Sequence, residues 1–465
     1  MPTTQLGDTI VALSTPYGTG AIAVVRLSGN RAFDIIRTVF SAKRGNFHSG
    51  KIQSRHLYFG EIMDGESALD EVLVAFFESP HSYTGEDMVE ISCHGSPYIQ
   101  RRLVELMIDR GARHAGPGEF SMRAFLNGKM DLSRTEAVAD LIHSRSEAAR
   151  KLAFNQLKGN ISDELKKLRE ELIKFSSLIE LELDFPEEDV EFADRHELKA
   201  LIDSISGRIK ELKATFKTGN ALKNGIPVVI AGKPNTGKST LLNALLRENR
   251  ALVTDIPGTT RDAIEETVYW KGMEFRLTDT AGLRETDDKV ERMGIERTRE
   301  HLQKASVILY LFEHFNTTVS ELREAIEELP AGIPVVLVAN KSDISGTSPA
   351  FDIITQERPH TILIRISAKN EQRMHEKLFP AIAKLLKLDE IDTGSVIITN
   401  IRHYEALSQG ESALSEVMTG LENGVSGDLL AIDIRRALYH LGAVTGEISS
   451  DDILGNIFSN FCIGK

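Results

Sequence analysis

Residues 226–239 read Ile-Pro-Val-Val-Ile-Ala-Gly-Lys-Pro-Asn-Thr-Gly-Lys-Ser. Ile226–Ala231 is a short apolar run of the kind a buried strand needs, and a helix-like stretch, Ser239–Arg247, follows. Between them lies the spacing G-x-x-x-x-G-K-[ST], from Gly232 to Ser239. Strand before and helix after is the context in which that spacing makes a phosphate-binding loop. Glycines let backbone N–H groups wrap an anion, and the helix N-terminus adds its positive dipole end. Lys238 is expected to reach the β- and γ-phosphates and Ser239 to ligate Mg²⁺. Asn235, Thr236, Gly237 and Thr240 complete the expected contacts of this loop.

Four further apolar runs follow: Phe275–Thr278, Val307–Phe312, Val335–Ala339 and Thr361–Ile366. Helical stretches such as Ser320–Glu328 lie between most of them, which predicts a doubly wound α/β sheet. Three of these runs end in polar motifs. Asp279-Thr280-Ala281-Gly282 puts an acid near the metal and an amide near the γ-phosphate. Asn340-Lys341-Ser342-Asp343 offers a carboxylate for guanine N1–H and its exocyclic amine; adenine would leave that carboxylate unpaired. Ser367-Ala368-Lys369 offers the Ala368 amide to guanine O6. Loops at strand C-termini, in this order, describe a crevice for GTP.

Thr254-Asp255-Ile256-Pro257-Gly258-Thr259-Thr260 then reads as the loop that senses the γ-phosphate, with the Thr260 hydroxyl on Mg²⁺. Leu283 stands where signalling GTPases place a water-orienting glutamine, so another group must position water. Arg261, Arg284 and Glu291 are the nearby candidates, each of which also reads as an ordinary solvated charge.

The chain has 465 residues, 41% of them hydrophobic, and a net charge of −13. No block of the sequence is basic, so nothing predicts a phosphate-backbone footprint. Two cysteines, Cys93 and Cys462, make neither a disulfide framework nor a zinc site and fit a reducing cytoplasm. Neither a signal peptide nor an apolar run of membrane-spanning length is expected. Helical spacing of apolar residues marks Ile161–Phe216, interrupted by an acidic stretch around Pro186, and returns after Pro380. The expected organisation is a small α+β domain at 1–119, helical segments at 120–224 and 382–465, and the α/β unit at 225–381 inserted between them.

Gly-Lys-Pro-Asn-Thr-Gly-Lys-Ser239, Pro-Gly-Thr-Thr-Arg-Asp262 and Asp-Thr-Ala-Gly-Leu-Arg-Glu285 together resemble the TrmE–Era class of GTPases. The C-terminal Cys462-Ile-Gly-Lys465 narrows the resemblance to the MnmE (TrmE) family of tRNA-modification GTPases. Asp8-Thr-Ile-Val-Ala12, Ser82-Tyr-Thr-Gly-Glu-Asp87 and Pro117-Gly-Glu-Phe-Ser121 match that family as well. The resemblance implies a Ras-like G domain inserted in a helical domain, and an N-terminal domain that forms a homodimer and binds formyl- or methylene-tetrahydrofolate. It implies a flavin (FAD)-dependent partner, MnmG (GidA), with which an aminomethyl or carboxymethylaminomethyl group is added to C5 of the wobble uridine of certain tRNAs. It also implies K⁺-stimulated GTP hydrolysis, with K⁺ on Asn235 and the Thr254 and Ile256 carbonyls beside Thr259. Glu291 becomes the residue that orients water. Arg26, Glu90, Lys129 and Lys465 become the folate contacts, although a strand-borne Arg26 and Glu90 also read as a surface ion pair. Cys462 acquires a role in the modification, whereas Cys93 reads as buried filler.

The competing reading is a GTP-controlled assembly or RNA-binding factor without covalent chemistry. Against it stand the absence of a basic RNA-binding module and the acidic C-terminal block. A membrane-linked switch is disfavoured because no basic amphipathic helix or lipidation motif is visible.

Overall fold

The computed structural model describes residues 7–43, 53–184, 194–249, 265–279, 299–343, 351–390, 394–447, 451–459 and 461–464. They form two compact units. One comprises Met1–Ile142, Gln156–Ser206 and Ala406–Lys465; the other comprises His143–Asn155 and Gly207–Glu405. Two segments of the first unit therefore flank the second in sequence. The α/β sheet lies inside the expected 225–381, and its unit also takes in helical residues on both sides.

The first unit opens with a seven-stranded sheet. Its strands are β1 (Ile10–Leu13), β2 (Ile22–Ser28), β3 (Phe40–Ala42), β4 (Leu57–Asp64), β5 (Ser67–Phe77), β6 (Met88–His94) and β7 (Arg113–His114). The order is β3-β4-β5-β6-β2-β1-β7, antiparallel except where β1 meets β7. Alternation decides the faces: Val25, Leu27, Val72, Val74, Val89 and Ile91 are buried under the helices Ala32–Arg37 and Pro97–Asp109. The opposite face keeps Ile22, Leu57, Phe59 and Leu73 exposed.

Helical residues complete this unit. Ile161, Leu165 and Leu172 of Asn160–Asp184 are buried, as are Leu430, Ile434 and Leu441 of Gly427–Thr445. These two helices pack together, and Arg169 of the first pairs with Glu447, just beyond the C-terminus of the second. Leu181, expected on the same apolar stripe, is exposed.

In the second unit the strands are β8 (Ile226–Gly232), β9 (Glu265–Trp270), β10 (Met273–Asp279), β11 (Val307–Glu313), β12 (Val335–Asn340) and β13 (Thr361–Arg365). They run in the order β13-β12-β11-β8-β10-β9. Every pairing is parallel except β9–β10, a hairpin turning at Lys271-Gly272. The parallel strands read as continuous apolar runs because helices cover both faces: Val228 and Ile230 face one core, Val229 and Ala231 the other. The helix Val319–Glu327 starts at a capping box, Thr318 with Glu321. Among the described residues no helix is long and apolar enough to cross a membrane.

Candidate functional site

Strand β8 delivers the chain to the phosphate-binding loop, and β11 beside it leaves no room for a side chain. Gly232 pairs with Leu311, has φ +143°, and an added Cβ would sit 2.2 Å from the Leu311 carbonyl oxygen. Gly237, at φ +98°, would drive a Cβ to 2.4 Å from Asn340 Nδ2. Between them Asn235 holds a left-handed φ of +64° with its side chain exposed. Thr236 Oγ1 closes the loop by donating to the Lys233 carbonyl at 2.9 Å. Lys238 is buried, and its Nζ donates to the carbonyls of Gly232 (2.9 Å) and Lys233 (3.0 Å). Ser239 and Thr240 present exposed residues on the first turn of Lys238–Asn249. The result is an amide cradle ending at a helix N-terminus, suited to a polyphosphate.

The guanine loop is tied to that cradle. Asn340 is buried; its Nδ2 donates to the Thr236 carbonyl at 2.8 Å and its Oδ1 accepts from the Ala368 N–H at 2.9 Å. One side chain thus clamps the phosphate loop, the end of β12 and the Ser367–Lys369 loop together. The Ala368 amide, expected on guanine O6, is here engaged by Asn340. This is the usual fate of a buried N–H, so a base would have to draw it away. Asp343 is exposed, and a hydrogen bond from Ser367, then its own backbone and the nearby Lys369, hold its carboxyl below the usual range. It is an ionised acceptor, as guanine recognition needs. Lys341, in a left-handed conformation at φ +59°, pairs with Glu313. Asp279 is buried at the end of β10, one strand from the cradle, on the register Asp279–Ile230.

Thr254–Thr260, Arg261, Thr280–Gly282, Glu291 and Lys465 lie outside the described residues.

A second constellation forms on the N-terminal sheet. Arg26 and Glu90 are cross-strand partners on β2 and β6, and the guanidinium grips the carboxylate through Nε (3.0 Å) and Nη2 (2.7 Å). The surface ion pair is real, yet it is not isolated. Arg26 lies 5.4 Å from the Tyr83 ring and 5.6 Å from the Phe120 ring, and its Nη1 donates to the Gly464 carbonyl at 3.4 Å. Residues 461–464 are docked against this sheet. Ser14 Oγ donates to the Gly464 carbonyl (3.1 Å), Gly118 N–H to the Cys462 carbonyl (3.3 Å), and Pro117 bridges Ile463. Gly464 has φ +95°, and a Cβ there would meet the Leu13 carbonyl at 2.1 Å. Lys129 is tied to the loop that carries Tyr83: its Nζ donates to the Pro80 carbonyl at 2.9 Å, and its stem packs on Gly85. Cys462 is exposed. Cys93 is buried, and burial first, then Asp70, pushes its thiol up to about 11, in keeping with a filler role.

Arg123 escaped the sequence reading. Its side chain is fully buried, and it donates to Asp8 Oδ1 (2.5 Å), Glu119 Oε1 (3.0 Å) and Glu86 Oε2 (3.1 Å). Arg113 adds bonds to Asp8 and Glu119, both at 2.7 Å. Burial raises the Asp8 and Glu119 carboxyls, but Arg113 and Arg123, joined at Glu119 by the Gly116 N–H, outweigh it and hold both below their usual values. The three acids belong to the three N-terminal motifs, 8–12, 82–87 and 117–121. That was the available signal: three motifs, each with a carboxylate, needing a shared cation.

The loops at the C-terminal edge of a parallel sheet, a glycine-shaped phosphate cradle and an ionised aspartate for guanine define a GTP-binding P-loop protein. Comparison narrows this. A model of the MnmE helical domain matches residues 132–462, and one for the GTP-binding protein TrmE N-terminus matches residues 9–129. The tRNA modification GTPase MnmE of Cytophaga hutchinsonii is 50% identical over 459 residues, covering 98% of both chains. That of Christiangramia forsetii is 48% identical, covering 99% of this chain and 100% of its own. That of Bacteroides fragilis strain YCH46 is 47% identical, covering 98% and 99%. The chain belongs to the MnmE family of tRNA-modification GTPases.

Proposed function

We propose that this tRNA-modification GTPase installs an aminomethyl or carboxymethylaminomethyl group on C5 of the wobble uridine, acting with the flavin-dependent MnmG and a tetrahydrofolate one-carbon donor. The observation that carries the reading is the docking of residues 461–464 beside Arg26 and Glu90, which puts the tail bearing Cys462 against the expected folate contacts. A carboxylate suits ring N–H donors of a pterin, and Arg26, Lys129 and Lys465 suit the carboxylates of its tail. A folate would supply the one-carbon unit; the chain's part is to orient it and to shield the site from water. Because Arg26 and Glu90 share a sheet face with exposed Leu57, Phe59, Leu73 and Ile22, a second copy of the chain covering that face would also wall the site. This favours a homodimer through the N-terminal domain.

In the G domain the Ser239 and Thr260 hydroxyls would hold Mg²⁺, with Asp279 close by. The exposed Asn235 amide, in its left-handed turn, fits a hard monovalent cation together with the Thr254 and Ile256 carbonyls and Thr259. Such a cation beside the phosphates supplies the charge that an arginine finger supplies elsewhere. Glu291 then orients the attacking water, with Arg261 as a lesser candidate. No block of the chain is basic and it has no flavin fingerprint, so MnmG brings FAD and much of the tRNA surface.

Nucleoside mass spectrometry of tRNA from cells lacking the gene, rescued with wild type or Cys462→Ser, tests the proposal. Restoration by wild type alone supports the reading with Cys462 in the chemistry, and equal rescue makes Cys462 structural. A wobble modification that never disappears overturns the proposal in favour of a binding factor without covalent chemistry.

A further inference from the structure

The carboxylate of Glu313 stands at the C-terminal edge of β11, in register with Asn340, the residue before Lys341. Its two oxygens are both committed: Oε1 to Lys341 Nζ, and Oε2 to Asn316 Nδ2 at 2.6 Å. The next residue, His314, donates its N–H to the Asn340 carbonyl at 3.0 Å. Residues 313–316 thus brace the guanine loop from the strand beside it. Lys341 needs such a brace, because its backbone is left-handed and its long side chain is flexible. The pair is half-covered, with 39% of the Lys341 side chain and 20% of the Glu313 side chain exposed, so it is screened less than an open surface pair.

We propose that Glu313 is a positioning residue for guanine-nucleotide binding: it fixes Lys341 so that the lysine stem lies ready along the base-binding side of the Asn340–Asp343 loop. The inference rests on the reading of that loop as the guanine site. Glu313 is held below the usual carboxylate range by Lys341 first and Asn316 second, so it stays charged at neutral pH. A carboxylate fixed by Asn316 arrests the lysine before a nucleotide arrives, and less freedom is then lost on binding.

The test is binding of a fluorescent GDP analogue to the full chain, with dissociation rates. Glu313→Gln keeps the shape and removes the charge. It is expected to weaken GDP and GTP about three- to tenfold, as loss of a partly covered charge-assisted pair does. The loss falls on Kd and KM rather than on kcat. Lys341→Met is expected to weaken binding by a similar factor, and the double variant to be no weaker than Lys341→Met alone. Glu313→Asp, which keeps the charge, is expected to recover part of the loss. The proposal is overturned if Glu313→Gln binds like wild type, if the two single effects add in full, or if Glu313→Asp is as weak as Glu313→Gln. Asp343→Asn separates this from the underlying reading. Its amide donor should favour xanthine, whose O2 replaces the guanine amine. If that variant still prefers GDP over XDP, the guanine reading fails; if the preference reverses while Glu313→Gln behaves as wild type, only the brace fails.

Discussion

The two constellations in this protein are built on opposite plans. The nucleotide crevice draws on short, nearly contiguous loops at the ends of neighbouring parallel strands, and much of its chemistry is backbone amides. The site on the N-terminal sheet draws on Ser14, Arg26, Glu90, Gly118 and residues 462–464, and its chemistry is side chains and docked carbonyls. The first plan leaves a spacing that any strand–loop–helix must reproduce. The second leaves isolated residues whose meaning appears only when the chain closes on itself. If this difference is physical, damage to one site should be separable from damage to the other.

The largest expected effect lies on the nucleotide side. Glu291→Ala should lower the GTP hydrolysis rate by roughly 10²–10⁴, the range for loss of a general base or water-orienting group, while GTP affinity survives. Steady-state hydrolysis together with nucleotide binding checks this, and normal turnover would remove Glu291 from the mechanism. Tail docking on the N-terminal sheet should not change.

Next comes the buried cation of the N-terminal unit. Arg123→Met strands Asp8, Glu86 and Glu119 around an apolar side chain, and breaking a buried pair costs about 3–5 kcal/mol. Thermal or urea unfolding should show that loss at pH 7. The same network sets an acid limit on the wild type. Asp8 and Glu119 have folded values below their unfolded ones, so their contribution is present above the ordinary carboxylate range and lost as pH falls through the lowered values. Stability of the wild type should therefore fall more steeply with acid than that of Arg123→Met. Equal slopes would show that the cluster does not govern acid unfolding.

How much could be read from the sequence follows from the same contrast. The G-x-x-x-x-G-K-S spacing, the Asn340–Asp343 motif and the apolar parallel strands were legible because local periodicity and glycine geometry are written in consecutive residues. The clamp role of Asn340, and its hold on the Ala368 amide, were not, because Thr236, Asn340 and Ala368 meet only across β8, β12 and β13. Arg123 looked like any helix-borne charge. Its partners lie 115, 37 and 4 positions away, and only the closed fold makes it the largest fully buried side chain among the described residues. Likewise Arg26 and Glu90 could be suspected of pairing, but the register that opposes them, and the tail carbonyl beside them, are products of the sheet.

Gly464→Ala attacks the second site alone. A side chain at φ +95° is strained by about 1–2 kcal/mol before its Cβ meets the Leu13 carbonyl, so the tail should undock. Wobble modification, read by nucleoside mass spectrometry, should fall sharply, while GTP hydrolysis by the purified protein keeps its wild-type rate. Retained modification would mean that the docked tail is dispensable.

The gentlest perturbation is Ser14→Ala. It removes one of the two side-chain donors to the Gly464 carbonyl among the described residues and leaves Arg26 Nη1 in place. A single hydrogen bond of this kind contributes about 0.5–1.5 kcal/mol. Amide exchange reads such a change as local opening, so the Gly118 N–H, which donates to the Cys462 carbonyl, should exchange about two- to tenfold faster. The Ala368 N–H, held by Asn340 in the other unit, should keep its rate. Acceleration at both amides would mean that the tail and the nucleotide clamp open together, and the two plans would then be halves of one cooperative device.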